Sequence, residues 1–144
     1  MRVKYPNITL AVCDWIRYQL PTYAAGQRWA DPLVTNKWDD SELKKVEFIV
    51  VVRDDDGPRM PPISKMSSVG ITCFGPRDSG ESGDLACQQL GQDVMDALAD
   101  CARVGSINSF TDCDNLYGPS PIGSETGRPA YYITADLTVV GEII

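Results

Sequence analysis

Between residues 46 and 53 the chain reads Val46, Glu47, Phe48, Ile49, Val50, Val51, Val52, Arg53. Ile49 and the four valines are β-branched, and two heavy atoms on Cβ crowd a helical turn, so this run favours extended backbone. A strand with one wet face alternates apolar and polar residues; this one is nearly continuous, which predicts cover on both faces. Asp54-Asp55-Asp56-Gly57-Pro58 then turns the chain. A second strand is expected from Ser67 to Phe74, where Val69, Ile71 and Cys73 alternate before Gly75-Pro76. Together the two predict a long antiparallel hairpin whose proline-rich tip runs from Arg53 to Lys65.

Two helices flank this hairpin in sequence. Over residues 7–20, Ile8, Ala11, Val12, Trp15 and Ile16 recur at helical spacing, with Asp14 and Arg17 on the other side. Asn7 is a strong N-cap, Pro21 is expected to stop the helix, and Trp15 is read as a core anchor. Over residues 84–104, Cys87, Leu90, Val94, Leu98 and Cys101 form an apolar stripe. Gln89, Asp93, Asp96, Asp100 and Arg103 form the opposite stripe; Ser82 or Asp84 stands near the cap and Gly105 at the end. Tyr131 to Val140 alternates strictly and predicts the last strand, whose end near the C-terminus leaves an edge open to pairing with another chain.

The remaining segments are less regular. Tyr23 to Trp29 is expected as a short strand, Pro32 and Asn36 as loop, and Ser41 to Lys45 as one helical turn. Trp29 and Trp38 are core or intersubunit anchors. Ile107 to Cys113 reads as a strand, and Asn115 to Pro129, rich in glycine and proline, as a patterned loop. The expected order is α-β-β-β-α-β-β: an α+β fold, a mixed and mainly antiparallel sheet flanked by two helices, in one domain over residues 1–144.

Composition narrows the chemistry. The chain of 144 residues has no histidine, which removes Ser-His, Cys-His and His-ligated zinc mechanisms. Net charge is −7, set by +2 over residues 1–53 and −9 over residues 54–144, a poor match to nucleic acid phosphates. The five cysteines form no CxxC pair and read as reduced, mostly buried thiols. No apolar run approaches the ~20 residues that span a bilayer, and the first residues lack a signal-peptide core, so no membrane partner is expected. Asp54 to Asp56 and Asp112-Cys113-Asp114-Asn115 both miss calcium-loop spacing, and the glycine pairs at 80–83 and 123–127 are neither nucleophile elbows nor phosphate loops. The reading is a structural protein, not an enzyme, with no cofactor and no metal.

Several stretches resemble the tail terminator proteins of long, flexible-tailed bacteriophages, particularly those of actinobacteria. They are Asn7 to Trp15, Phe48 to Gly57, Ser68 to Thr72, Asn115 to Pro119 and Gly127 to Val139. The resemblance implies a mixed sheet with helices packed on it and a homohexameric ring. That ring would end the tail tube and join it to the head at the virion's tail–neck junction, contacting the tube protein and a neck or head-completion protein. DNA would pass through without specific binding. On this view the hairpin tip, with Arg53, Asp56, Arg59, Met60, Ile63 and Lys65, meets the tube or an adjacent subunit. Asp93, Asp96 and Asp100, or Asp54 to Asp56, face the channel, or else these charges serve solubility alone. The alternatives are another neck or tube ring protein and a small-molecule-binding α/β domain.

Overall fold

A computed structural model of the chain describes residues 3–4, 7–37, 46–54, 64–77, 80–101, 110–123, 127–140 and 142–143. Helix α1 spans Ile8–Tyr23 and is capped by Asn7, whose Oδ1 accepts from the Leu10 N–H at 3.3 Å. Ile8, Ala11, Val12, Trp15 and Ile16 are buried, as their spacing predicts. Pro21 does not stop the helix. It lies on the exposed side of the last turn, where only its own missing N–H is lost, and Ala24 still donates to the Leu20 carbonyl at 2.8 Å.

Tyr23 to Trp29 is not a strand. Gly26, at φ +77, reverses the chain through tight turns, with Gln27 donating to Ala24 and Ala30 to Gln27. The extended segment comes later, as β2 (Leu33–Thr35), where Leu33 donates to the Phe48 carbonyl. Trp38 and Ser41 to Lys45 lie outside the described residues.

Strands β3 (Ile49–Asp54) and β4 (Ser64–Phe74) pair antiparallel, from Ile49 opposite Phe74 to Asp54 opposite Val69. Both faces of β3 are buried: Val50 and Val52 join the main core, while Ile49 and Val51 pack with Leu33, Val46 and Phe74. The hairpin body therefore stands as read, while its tip, with Asp56, Arg59, Met60 and Ile63, falls outside the described residues.

Helix α2 spans Gly80–Ala99 and begins a turn before Asp84. Asp84 is not its cap; its Oδ2 accepts from the Tyr131 hydroxyl at 2.9 Å, pinning the helix start to the sheet. Cys87, Leu90, Val94, Leu98 and Cys101 are fully buried, so the apolar stripe holds. Gly105 is outside the described residues.

The expected loop after Asn115 is mostly strand. β5 (Phe110–Ile122) pairs with β6 (Ala130–Val140), with register shifts between Phe110 and Asp112, Asp114 and Tyr117, and Tyr117 and Ser120. Those irregularities absorb Pro119 and Pro121, which an edge strand tolerates because its outer N–H positions need no partner strand. Gly118, at φ +118, comes so close to β6 that a Cβ there would sit 2.5 Å from the Tyr132 carbonyl oxygen.

The sheet order is β2-β3-β4-β6-β5, parallel between β2 and β3 and antiparallel elsewhere. A separate pair, β1 (Val3–Lys4) and β7 (Glu142–Ile143), joins the two ends of the chain. The fold is α+β, with two helices and a five-stranded mixed sheet in the expected order. Residues of both helices share one core with Val50, Val69, Ile71, Ile133 and Leu137, so both pack on the same sheet face. β6 lies inside the sheet, between β4 and β5, so it is not the open edge its place near the C-terminus suggested.

Candidate functional site

Most of the cysteine side chains are enclosed by the fold. Four of the five free thiols are buried, and Cys113 is half-buried. Burial pushes Cys13 up to about 11, with Arg17 pulling back and Asp14 adding to the rise. Burial first, then nearby Asp84, pushes Cys87 up to about 12. Cys113 also rises to about 12, by burial and then by Cys101 and neighbouring carboxylates, and Cys73 rises for the same main reason. Such thiols are poor nucleophiles at neutral pH. No thiol is therefore expected to alkylate quickly in the folded protein at pH 8, with all five reacting once urea unfolds it. A single fast site by mass spectrometry would contradict this. These raised values also make a linkage prediction. The folded state holds its protons while the unfolded chain, near 9.0, releases them. Thiol-linked stability is thus complete below about pH 9 and is lost as pH climbs through 11–12.

Asp136 on β6 accepts from Ser68 Oγ and, at 2.8 Å, from Asn115 Nδ2. These two bonds hold its carboxyl below the usual range. A carboxylate stabilised this way is a weak base, so the trio braces β4, β6 and β5 rather than activating the serine. Among the described residues no group of three His, Cys, Asp or Glu could hold a metal ion.

The acidic stripe of α2 does not act as a unit. Asp93 is half-buried and its Oδ2 accepts from Trp29 Nε1 at 2.7 Å. Desolvation raises its pKa, the Trp29 bond opposes that, and Asp96 adds to the rise. Trp29 in turn meets Phe48 edge-on at 6.5 Å, and Arg28 lies over the same ring at 5.6 Å. Trp29 thus bridges α2 and the approach to β3 within the chain. Asp96 is exposed and accepts from Gln92 Nε2 at 3.2 Å, while Asp100 is partly exposed. Arg53 is exposed at the end of β3; Lys65 lies on β4 opposite Val139.

Two hollows are open rather than enclosed. One, of about 370 Å³, lies between Trp29 and the start of α2, lined by Leu85, Ala86 and Gln89. The other, of about 270 Å³, lies under Pro32 and Leu33. Among the described residues, Arg28 is the one ionisable residue lining the first, and Arg17 and Asp31 line the second.

The sheet edges are the more informative surface. Because Leu33 donates inward to Phe48, the adjacent Val34 carbonyl points out along the β2 edge. Arg17 Nη2 caps it at 2.6 Å, while Nη1 bonds Asp14 at 2.9 Å. At the opposite edge, β5 carries Pro119, Pro121, two aspartates and its register shifts. Charges, prolines and bulges are the devices that discourage strand addition, so contacts here must run through side chains. Large exposed apolar side chains include Leu10 and Tyr18 on α1, Leu85 on α2, and Tyr117 and Ile122 on β5. None of these stands out from the spacing of the sequence alone. Leu10 and Tyr18 were detectable as apolar residues off the buried stripe of α1; Tyr117 sat in a segment read as loop. Comparison with protein-family models and with curated proteins returns no match.

Proposed function

We propose that this chain is a virion structural protein of the tail-terminator kind. Six copies form a ring that caps the tail tube, ends its polymerisation and offers the neck or head-completion protein a surface at the tail–neck junction. The observation that carries this reading is the architecture. The resemblance implies a mixed sheet with helices packed on it, and the chain has α1 and α2 on one face of a five-stranded mixed sheet in the order α-β-β-β-α-β-β. Further support comes from thiols buried beyond easy reaction and from the antiparallel β3–β4 hairpin, to whose tip the tube-facing role is assigned. At −7 per copy, a ring of six carries about −42 before counterions, which repels passing DNA rather than gripping it.

Light scattering across a concentration series, alone and with polymerising tube subunit, tests the proposal. The expected species is six times 15.8 kDa, in solution or as a single ring on the tube end in electron micrographs, with tube growth halted. Open-ended stacking would make the chain a tube subunit. A monomer that leaves tubes growing would overturn the reading.

A further inference from the structure

Two ties between α2 and the sheet fix the level of each helical residue along the strands. Asp84 meets Tyr131 at the start of β6. Gly91 packs on β5, where an added Cβ would come within 2.8 Å of Pro119 and 3.9 Å of Ile133 Cδ1. The helix therefore runs in the direction of β6 and against that of β5, with Gly91, Pro119 and Ile133 at one level. Cys113 is paired with Leu137, four residues beyond Ile133 and about 14 Å further at strand rise. Cys101 lies ten residues beyond Gly91, about 15 Å at helical rise. Helical bonding continues past Ala99, since Asp100 donates to the Asp96 carbonyl at 3.3 Å. Cys101 and Cys113 thus come to the same level, one at the end of the helix and one on the strand it packs against.

Both thiols belong to one interior. Cys101 is fully buried in the core that holds Leu137, and Cys113 packs, half-buried, against that core. After burial itself, Cys101 does more to hold the Cys113 thiol up than Asp112 and Asp114 on either side of it. A Coulomb effect that outweighs sequence neighbours needs the two sulfurs close together. The other thiols lack this combination of a close partner and a route to solvent. Cys73 and Cys87 are neighbours, Cys87 Sγ donating to the Cys73 carbonyl at 3.2 Å, but both are sealed from solvent, as is Cys13.

We infer that Cys101 and Cys113 form an oxidative modification site, a thiol pair that closes to a disulfide when the oxidant is a small disulfide such as oxidised glutathione. Cys113 is the thiol that an external reagent reaches. Its thiolate attacks one sulfur of the oxidant, the other leaves as glutathione thiolate, and a mixed disulfide forms on Cys113. The Cys101 thiolate then attacks the Cys113 sulfur and expels the second glutathione. One disulfide is reduced and one is formed, and the two thiol protons pass to the two glutathione thiolates. Cys101 needs no access to the oxidant, because its step is internal. The bond fastens the end of α2 to β5, and the inference is independent of the ring reading.

The test incubates the full-length chain with oxidised glutathione for hours at pH 7, 8 and 9, quenches in acid, and maps the cysteines by mass spectrometry after alkylation in urea. The expected product has lost two hydrogens and is bridged between Cys101 and Cys113, with Cys13, Cys73 and Cys87 still open to alkylation. The rate is expected to rise about tenfold per pH unit, as the thiolate fraction does below the thiol pKa. Dithiothreitol restores the starting mass, and the bridge lowers the equilibrium constant for unfolding about tenfold or more. Cys101→Ala is expected to stop at the glutathione adduct on Cys113, and Cys113→Ser to give neither adduct nor bridge, each variant being checked by circular dichroism. Where a variant does not fold, the map of the wild-type chain decides. A bridge between other cysteines, a wild-type adduct on Cys113 that never resolves, or no reaction at pH 9 would each overturn the inference.

Discussion

Trp15→Ala is expected to cost about 3–5 kcal/mol of folding stability, the range for removing a fully buried large aromatic ring. Trp15 is inaccessible to solvent, and its ring lies 6.5 Å from that of Tyr18. It also fastens α1 to α2, since Nε1 donates to the Ala97 carbonyl at 2.9 Å. That carbonyl belongs to the last turn of α2. Alanine thus leaves both a cavity and a buried acceptor without its donor. For a chain of this length about 4 kcal/mol corresponds to a fall in Tm of roughly 10 °C. Trp15→Phe separates the two contributions: it keeps much of the ring and loses only the donor, for about 1–3 kcal/mol. Urea unfolding followed by circular dichroism measures both. A loss below about 1 kcal/mol for the alanine variant would mean the two helices do not depend on this contact.

Arg128→Met is expected to be comparably severe. Arg128 is buried, 6% exposed, just before β6 begins. Its Nη1 donates to the Glu47 and Gly75 carbonyls, both at 3.0 Å, and its Nη2 to the Val46 carbonyl at 2.7 Å. One guanidinium therefore ties the approach to β3, the exit from β4 and the approach to β6. Burial lowers its pKa, and Arg77 lowers it further. It remains charged at any ordinary pH, because the intrinsic value is so high. Methionine matches much of the stem but removes every donor, leaving several carbonyls unsatisfied at once; about 3–5 kcal/mol is the expected loss. Arg128→Lys should recover less than half of it, since a single ammonium cannot reproduce the planar fork. Equal stability of the lysine and arginine forms would show that charge alone, not geometry, holds the three segments.

Much of the local structure was legible because its signals are short-range. The Asn7 cap, the buried stripes of α1 and α2 and the alternation along β4 and β6 follow from periods of 3.6 and 2, which a few neighbouring side chains express. The near-continuous apolar run of β3 announced cover on both faces for the same reason. The misreadings occurred where a residue's local preference met a distant compensation. Pro21 breaks a helix interior but not an exposed last turn. Pro119 and Pro121 argue against a central strand, yet β5 is an edge strand with register shifts, and edge position is a property of the sheet.

The candidate site divides along the same line. Sequence spacing alone put Asp93, Asp96 and Asp100 on one stripe of a helix. Only the packed structure shows Asp93 turned to the Trp29 indole, 64 residues away along the chain. The role of Arg128 is likewise invisible locally, because its partners lie up to 82 residues away. The partition of charge into two halves of the chain was present in the sequence as a bare count. The tertiary structure adds which strands stand at the margins, because the sheet order β2-β3-β4-β6-β5 puts β2 at one edge and β5 at the other. Local periodicity determined which elements form; their neighbours, and so what faces outward, were decided by packing between segments far apart in sequence, which no local pattern encodes.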